Sequence, residues 1–451
     1  MNTKTVALLL ALAIALAVYS VPTRGAVSYV VVIDLTHGQG VKGLDVFLKT
    51  MYDAEVYLIV PSKEFYDALT PQVKALVTGY YVGDLSRFKD PATGREYTLV
   101  SIYTDLLIIP QPTSPIKDAE VAAVVDYLKT RGGGLWVAGD SDYGAGEDVI
   151  KIVNDFMTAI GASIVLDHLS IADPVSNCGA DYRVVALVEP PEDLGFLAYG
   201  AKKVLMHGPG VVAYYDRATG MMLPLTKVLG TRSDIKVIVW SSPNGTIVEN
   251  NAKILGVAYE VGSVGRFPMV VAQIMPEYKN AIVVLSSETP IGGYQPMITA
   301  QYYLVYLDGP RFVRNVVLWA SKYMGELSYV DKVDTRLSML ESDLTVVKDS
   351  ISKTLTQLEN SIKALEAGLK TEVDMINSRI AKVESGLTDL STKLQQLATT
   401  ATTLSQDLSG VRATVSSLSD NLSTTSTIAY VALAVAAIGL VISLVQLFRK
   451  R

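Results

Sequence analysis

The stretch VVVIDLTHGQGVKG, residues 30–43, decides the fold because it joins a buried strand to a helix through a glycine loop. Four apolar residues precede Asp34, and such a run is typical of a strand that is covered on both faces of a sheet. The glycines at 38, 40 and 43 spell G-x-G-x-x-G, which is the spacing of a dinucleotide-binding loop.

A true dinucleotide loop places its first glycine directly after the strand and an acidic residue at the tip of the second strand. Here three residues separate Asp34 from Gly38, and Pro61 stands where the second carboxylate belongs. We therefore expect Gly38 and Gly40 to permit a tight turn, and we predict no cofactor.

Residues 27–325 continue with apolar strands that alternate with amphipathic helices, including the strands AEVYLIV, TDLLIIP and GLWVAGD. This alternation predicts an α/β head with a mostly parallel sheet that is covered on both faces. The second half of the head is richer in strands, among them FPMVVAQIM and NAIVVLSS.

Several polar residues follow strands that a parallel sheet would end at one edge, where α/β folds bind ligands. The candidates for such a ligand crevice are Asp34, His37, Gly38, Gly40, Asp140 and Ser141. A metal site formed by Asp34, His37 and Asp140 is conceivable, but nothing in the spacing demands it, and we predict none. The plainer interpretation is that Asp34 and His37 hydrogen-bond to loop backbones.

The succession of IDLTHGQG, LLIIPQP, GGGLWVAGDS, FPMVVAQ, NAIVVLSSE and RFVRNVVLWAS resembles the class I glutamine-amidotransferase-like fold over roughly residues 28–323. The resemblance is to its non-amidotransferase branch, which includes domains beside ABC-transporter components and the head of intraflagellar-transport proteins. It implies a flavodoxin-like sheet with a ligand crevice at the carboxyl ends of the strands.

The amidotransferase nucleophile is a cysteine on a sharp turn between a strand and a helix, and AGDSDYGAG has none at that place. The chain's one cysteine, Cys178, lies in the loop-like VSNCGAD. We therefore favour a protein without catalytic residues. The alternative is an extracellular hydrolase or carbohydrate-active enzyme that uses Asp34, His37, Asp140 or Ser141.

Both ends of the chain indicate a membrane-anchored surface protein. Residues 1–26 contain a lysine, a short apolar run and small residues, which is typical of a signal peptide, with an uncleaved anchor as the alternative. Residues 427–448 predict one transmembrane helix, and the basic tail at 449–451 places the C-terminus in the cytoplasm.

Residues 326–426 carry apolar side chains at alternating steps of three and four from Val330 to Leu422, which predicts a coiled-coil stalk. A lone helix would expose this stripe, so we expect a parallel homo-oligomer. Dimer and trimer both remain open, and the alternative is an antiparallel bundle within one chain.

The net charge of −6 gives no general attraction to nucleic acid. One cysteine excludes internal disulfides, and Asn244 and Asn421 lie in N-glycosylation tripeptides. Together these features predict a non-enzymatic, single-pass protein of an archaeal-type cell surface. Its head would bind a surface-layer protein, a transporter or an extracellular ligand, and its membrane helix would contact lipid.

Overall fold

The computed structural model describes residues 29–251, 253–368 and 373–421. The predicted signal peptide at 1–26, membrane helix at 427–448 and basic tail at 449–451 lie outside these residues. Within the described ranges, no helix combines the length and the apolar character that a bilayer crossing requires.

The first half of the head alternates strands and helices, as the sequence predicts. Its elements are β1 Tyr29–Asp34, α1 Leu44–Thr50, β2 Ala54–Val60, α2 Lys63–Asp67, α3 Pro71–Leu76, β3 Gly79–Asp84, β4 Arg87–Lys89, β5 Glu96–Tyr97, β6 Leu106–Ile109, α4 Asp118–Arg131, β7 Gly134–Ala138 and α5 Gly146–Ala159.

The second half is rich in strands and ends in three helices. Its elements are β8 Ile164–Ala172, β9 Arg183–Val188, β10 Lys203–His207, β11 Gly210–Asp216, β12 Met221–Pro224, β13 Ile235–Trp240, β14 Gly245–Val248, β15 Val264–Gly265, β16 Pro268–Met275, β17 Ala281–Ser286, β18 Gln301–Tyr302, β19 Val305–Tyr306, α6 Gly309–Ala320, α7 Leu327–Gly368 and α8 Val373–Asn421.

Twelve strands form one sheet in the order β10-β9-β13-β16-β17-β7-β6-β1-β2-β3-β4-β5. The six strands from β17 to β3 pair in parallel, and antiparallel strands extend the sheet on both sides. Numbered along the chain, the parallel strands have the doubly wound order 3-2-1-4-5-6, whose direction of winding changes between β1 and β6. The α/β class with a large sheet is thereby confirmed. When β3 is left out, the remaining five parallel strands have the flavodoxin-like order 2-1-3-4-5.

The antiparallel strands of the second half also build a five-stranded sheet, in the order β12-β11-β8-β14-β15. The strands at the centre of the large sheet are buried on both faces because helices and the second sheet cover them. Trp136 in β7 satisfies its indole N–H by donating to the Ser286 hydroxyl of β17 at 2.9 Å.

A buried ionic network fixes the end of the head to the start of the stalk. The Arg314 side chain in α6 is 1% exposed, and its Nε lies 2.7 Å from Glu326 Oε1. Its Nη1 lies 3.0 Å from Asp53 Oδ1, and Arg311 Nη1 lies 2.9 Å from the same Glu326 oxygen. The guanidinium groups of Arg311 and Arg314 therefore neutralise two carboxylates. Glu326 directly precedes α7, and Asp53 directly precedes β2.

The stalk leaves the head at the amino ends of the parallel strands. A Cβ on Gly134, the first residue of β7, would overlap the carbonyl oxygen of Ala320, the last residue of α6. Lys322 Nζ donates to the Gly132 carbonyl at 2.6 Å. Since α7 starts a few residues later, its origin lies at the sheet edge opposite the carboxyl ends of the parallel strands.

Two long helices, α7 and α8, cover most of the predicted stalk, which confirms that it is helical. The described positions of the apolar stripe are half-buried or exposed, and none is buried within the single chain. These positions are 330, 333, 337, 340, 344, 347, 351, 355, 358, 380, 383, 387, 390, 394, 397, 401, 404, 408 and 411. No coiled coil is formed among the described residues, so the coiled coil stays a prediction.

We predict that Glu326→Gln lowers the free energy of unfolding of the head by about 3–5 kcal/mol at pH 7, because it leaves Arg314 and Arg311 buried with too little negative charge. Denaturant unfolding followed by tryptophan fluorescence measures this. The control Asp155→Asn removes the exposed ion pair with Lys151 and should cost at most about 1 kcal/mol. Equal effects of the two substitutions would contradict the role given to Glu326.

The pH dependence of this difference is a second test. Burial acts to raise the pKa of Glu326, but the charges and hydrogen bonds of Arg314 and Arg311 lower it to about 2. An unfolded glutamate titrates near pH ~4.3, so the charged form stabilises the fold above that pH, and its contribution is lost as the pH falls towards 2. The difference between wild type and Glu326→Gln should therefore shrink between about pH 5 and pH 2.5, and a constant difference would contradict this origin.

Candidate functional site

The carboxyl ends of β1, β6, β7 and β17 meet at one edge of the sheet, which we call the crevice. Asp34 ends β1, and Gln111, Asp140 and Glu288 each follow one of the other three strands by two residues. Parallel pairing brings these four polar residues to the same edge, where doubly wound folds bind ligands.

Asp34 and His37 form a closed network with Glu120 of α4. His37 Nδ1 lies 2.6 Å from Asp34 Oδ2, and His37 Nε2 lies 3.2 Å from Glu120 Oε1. Asp34 also accepts from the Thr36 backbone N–H at 3.1 Å and from Gln39 Nε2 at 2.7 Å. Both ring nitrogens of His37 are thus occupied, so this histidine is not available as a free base.

The charge of His37 follows from its two carboxylate neighbours. Burial acts to lower the pKa of His37, but the hydrogen bonds and charges of Asp34 and Glu120 raise it to about 9. Burial acts to raise the pKa of Glu120, and the His37 imidazolium shifts it below its usual value. At neutral pH the imidazolium is an internal counter-ion for two buried carboxylates.

The glycines of the opening motif serve the turn and close packing. Gly38 has φ 76°, and a Cβ there would overlap the Thr113 hydroxyl. A Cβ on Gly40 would lie 3.2 Å from the backbone nitrogen of Gly293. The His37 carbonyl also accepts from the Thr113 backbone N–H at 2.8 Å, so the chain's own loops pack together where the winding direction changes.

Asp140 and Ser141 belong to a second cluster beside the first. Asp140 Oδ2 accepts from Gln111 Nε2, and its Oδ1 accepts from the Ser141 backbone N–H at 2.8 Å. Burial raises the pKa of Asp140 to about 6, against the lowering effect of these two hydrogen bonds. The Ser141 hydroxyl accepts from the Tyr143 backbone N–H at 3.4 Å, and no histidine of the described chain hydrogen-bonds to it.

The sequence interpretation missed two of the four crevice residues, Gln111 and Glu288, of which Glu288 is the more deeply buried. It is 6% exposed, and it accepts from the Thr289 backbone N–H at 2.7 Å and the His207 backbone N–H at 3.2 Å. Burial and the charge of Asp140 both raise its pKa well above the usual value. Its place directly after NAIVVLSS was the available signal, since that strand was recognised in the sequence.

The three residues weighed as metal ligands, Asp34, His37 and Asp140, do not lie in one cluster. Asp34 and His37 belong to the first cluster and Asp140 to the second, and no hydrogen bond among the described residues joins the two clusters. Within those residues, no group of three histidine, cysteine or acidic side chains is close enough to hold a metal ion. Cys178 is buried, and burial raises the pKa of its thiol. Asn244 is exposed in the turn between β13 and β14, while the side chain of Asn421 lies outside the description.

No protein-family model and no curated protein matches this chain. Among solved structures, the mmIFT52 N-terminal domain is similar over 65% of this chain and 97% of its own length, with 10% sequence identity and a TM-score of 0.37. This loose likeness agrees in part with the resemblance to intraflagellar-transport heads but carries no argument about function. The glutamine-amidotransferase-like assignment stays a prediction.

We predict that His37 titrates near pH 9 in the folded chain, because Asp34 and Glu120 hold its proton. The chain has three histidines, so NMR signals of their imidazole protons can be assigned by single substitutions. The signal lost in His37→Gln should show the high midpoint, whereas burial lowers the pKa of His207. A His37 midpoint at or below the ordinary value of ~6.5 would contradict the network.

Proposed function

We propose that this chain is a non-enzymatic cell-surface protein, anchored by one C-terminal membrane helix, whose α/β head is presented on an oligomeric coiled-coil stalk. The head would bind a surface-layer protein, a transporter or an extracellular ligand. The observation that carries the proposal is the apolar stripe of α7 and α8, no described position of which is buried within the chain.

Self-association is the simplest way to cover this stripe. Leu340 is 52% exposed and Val347 is 44% exposed, although both lie on the stripe. Each buried methylene gains about 0.8 kcal/mol, so pairing the stripes of two or three chains over about thirteen heptads is strongly favourable. Anchoring every chain at the same end favours a parallel arrangement.

The exit of the stalk supports presentation of the crevice. Because Ala320 packs on the first residue of β7, the stalk departs from the amino ends of the strands and the crevice points the other way. With a membrane anchor beyond residue 426, the crevice would face away from the cell. The buried pairs of Arg314 with Glu326 and Asp53 would hold that orientation.

A hydrolase acting in the crevice is the second candidate, favoured by the pKa of about 6 at Asp140, which suits acid–base chemistry. The described geometry gives it little else. His37 is engaged on both nitrogens, and Ser141 is 1% exposed with no histidine hydrogen-bonded to its hydroxyl. We therefore retain the non-enzymatic proposal.

Cysteine cross-linking tests the parallel stalk directly, since the native Cys178 is buried. Leu340→Cys lies on the stripe and should form a disulfide between chains under mild oxidation of the full chain in detergent. Met339→Cys is the matched control, because Met339 is 61% exposed and adjacent but off the stripe. We expect efficient cross-linking at 340 and little at 339.

A monomer in sedimentation analysis, or equal cross-linking at both positions, would contradict the parallel oligomer. An antiparallel pair would give a different result. It places residue 340 opposite a distant part of the partner helix, so the chain would sediment as an oligomer but would not cross-link at position 340.

A further inference from the structure

A group of aromatic rings surrounds His207 at the mouth of the crevice; we call Tyr182, His207, Tyr294 and Tyr302 the tyrosine patch. The His207 ring centroid lies 5.6 Å from that of Tyr182, 5.0 Å from Tyr294 and 5.8 Å from Tyr302. Tyr294 is 73% exposed and Tyr182 is 45% exposed, so their rings are open to solvent.

Two cations flank the patch without a carboxylate partner in the described chain. The Arg183 guanidinium lies 5.0 Å from the Tyr182 ring centroid and 4.2 Å from that of Tyr303. Lys42 Nζ lies 5.4 Å from the Tyr294 ring centroid and donates to the Tyr294 carbonyl. The buried Nε of Arg183 has no hydrogen-bond partner. The patch therefore offers positive charge to an incoming anion.

The hairpin of β18 and β19 extends this surface, and its turn has an unfavourable backbone conformation. Its central residues, Tyr303 and Leu304, have φ 43° and 66°, a left-handed conformation that favours asparagine and glycine. Leu304 is 88% exposed and Tyr303 is 60% exposed. Large apolar side chains thus occupy a strained, solvent-facing turn, a combination that is typical of binding surfaces.

The tyrosine patch adjoins the crevice. The His207 backbone N–H donates to Glu288, and Gly293, directly before Tyr294, packs on the Gln111 side chain, where a Cβ would lie 2.6 Å from its Oε1. The patch therefore lies at the edge of the sheet away from the stalk, on the face that the proposed function presents outward.

We infer that the tyrosine patch, with Arg183 and Lys42, binds a carboxylated saccharide. Exposed tyrosine faces accept the C–H face of a sugar ring, and tyrosine hydroxyls bond its hydroxyl groups. A guanidinium binds a carboxylate through charge-assisted hydrogen bonds, and Arg183 Nη2 already donates to the Tyr182 hydroxyl at 2.9 Å. The inference rests on the proposed function and names the class of extracellular ligand for the head.

An acidic peptide is less favoured because the nearest sheet edge is occupied. At the start of β10, the Lys203 backbone N–H donates to Asp308 at 3.1 Å and the Lys203 carbonyl accepts from the Asp308 N–H. At its end, the His207 N–H donates to Glu288. A five-residue strand engaged at both ends leaves little room for an added peptide strand.

Binding of the full chain in detergent to polygalacturonate tests the inference. We expect Arg183→Gln and Lys42→Gln each to weaken binding roughly tenfold, since each removes a charge-assisted contact. Arg95→Gln is the matched control, because Arg95 stacks on Tyr97 at 5.1 Å at the other end of the sheet. Lys42 is exposed, so its replacement leaves the buried core of the head unchanged.

Binding that persists in the Arg183→Gln and Lys42→Gln variants, or no binding at all, would overturn the inference. Equal binding of polyglutamate would replace the saccharide by an acidic peptide, and equal binding of uncharged dextran would remove the role of the two cations. The oligomeric state of the same samples is measured separately. A monomer that binds overturns the stalk alone, and an oligomer that does not bind overturns the ligand alone.

Discussion

The Arg314 guanidinium, almost completely removed from water, is the interaction on which the arrangement of head and stalk depends. Removing a charge from water costs several kcal/mol unless the charge is paired, and this one is paired twice, with Glu326 and Asp53. Asp53 precedes β2, and Glu326 precedes the stalk helix. One side chain therefore ties the amino ends of the strands to the first turn of the stalk, and a change in the direction of the stalk would have to break buried ion pairs.

Buried charges are also paired at the opposite edge of the sheet. There the His37 imidazolium offsets Asp34 and Glu120, so the first glycine motif of the chain belongs to a self-contained structural network. Asp140 and Glu288 lack such a cation, and burial raises the pKa of each. The polar groups left for a ligand at the crevice are therefore those that follow β7 and β17, beside the tyrosine patch, and not those that follow β1.

Local pattern was sufficient to predict the buried strands β1, β2, β6, β7, β16 and β17 and the helical stalk, because apolar periodicity can be read from consecutive residues. It did not mark β3 or β8. It also predicted that Asp34, His37 and Asp140 would follow strands at one edge. It did not predict the partner of each, since His37 meets Glu120 and Arg314 meets Asp53 only after long stretches of chain fold back. The tyrosine patch was missed for the same reason, since Tyr182 and Tyr294 are far apart in the chain and come close to His207 only in the folded head.

The proposed function depends on distance, because the head acts where the stalk holds it. As one continuous helix at ~1.5 Å per residue, residues 330–422 would span about 140 Å. Electron microscopy of the full chain in lipid nanodiscs measures this separation directly. We predict heads joined to the disc by one thin rod of about that length, with the crevice turned outward. Heads lying against the disc, or a short thick bundle in place of the rod, would contradict the proposal.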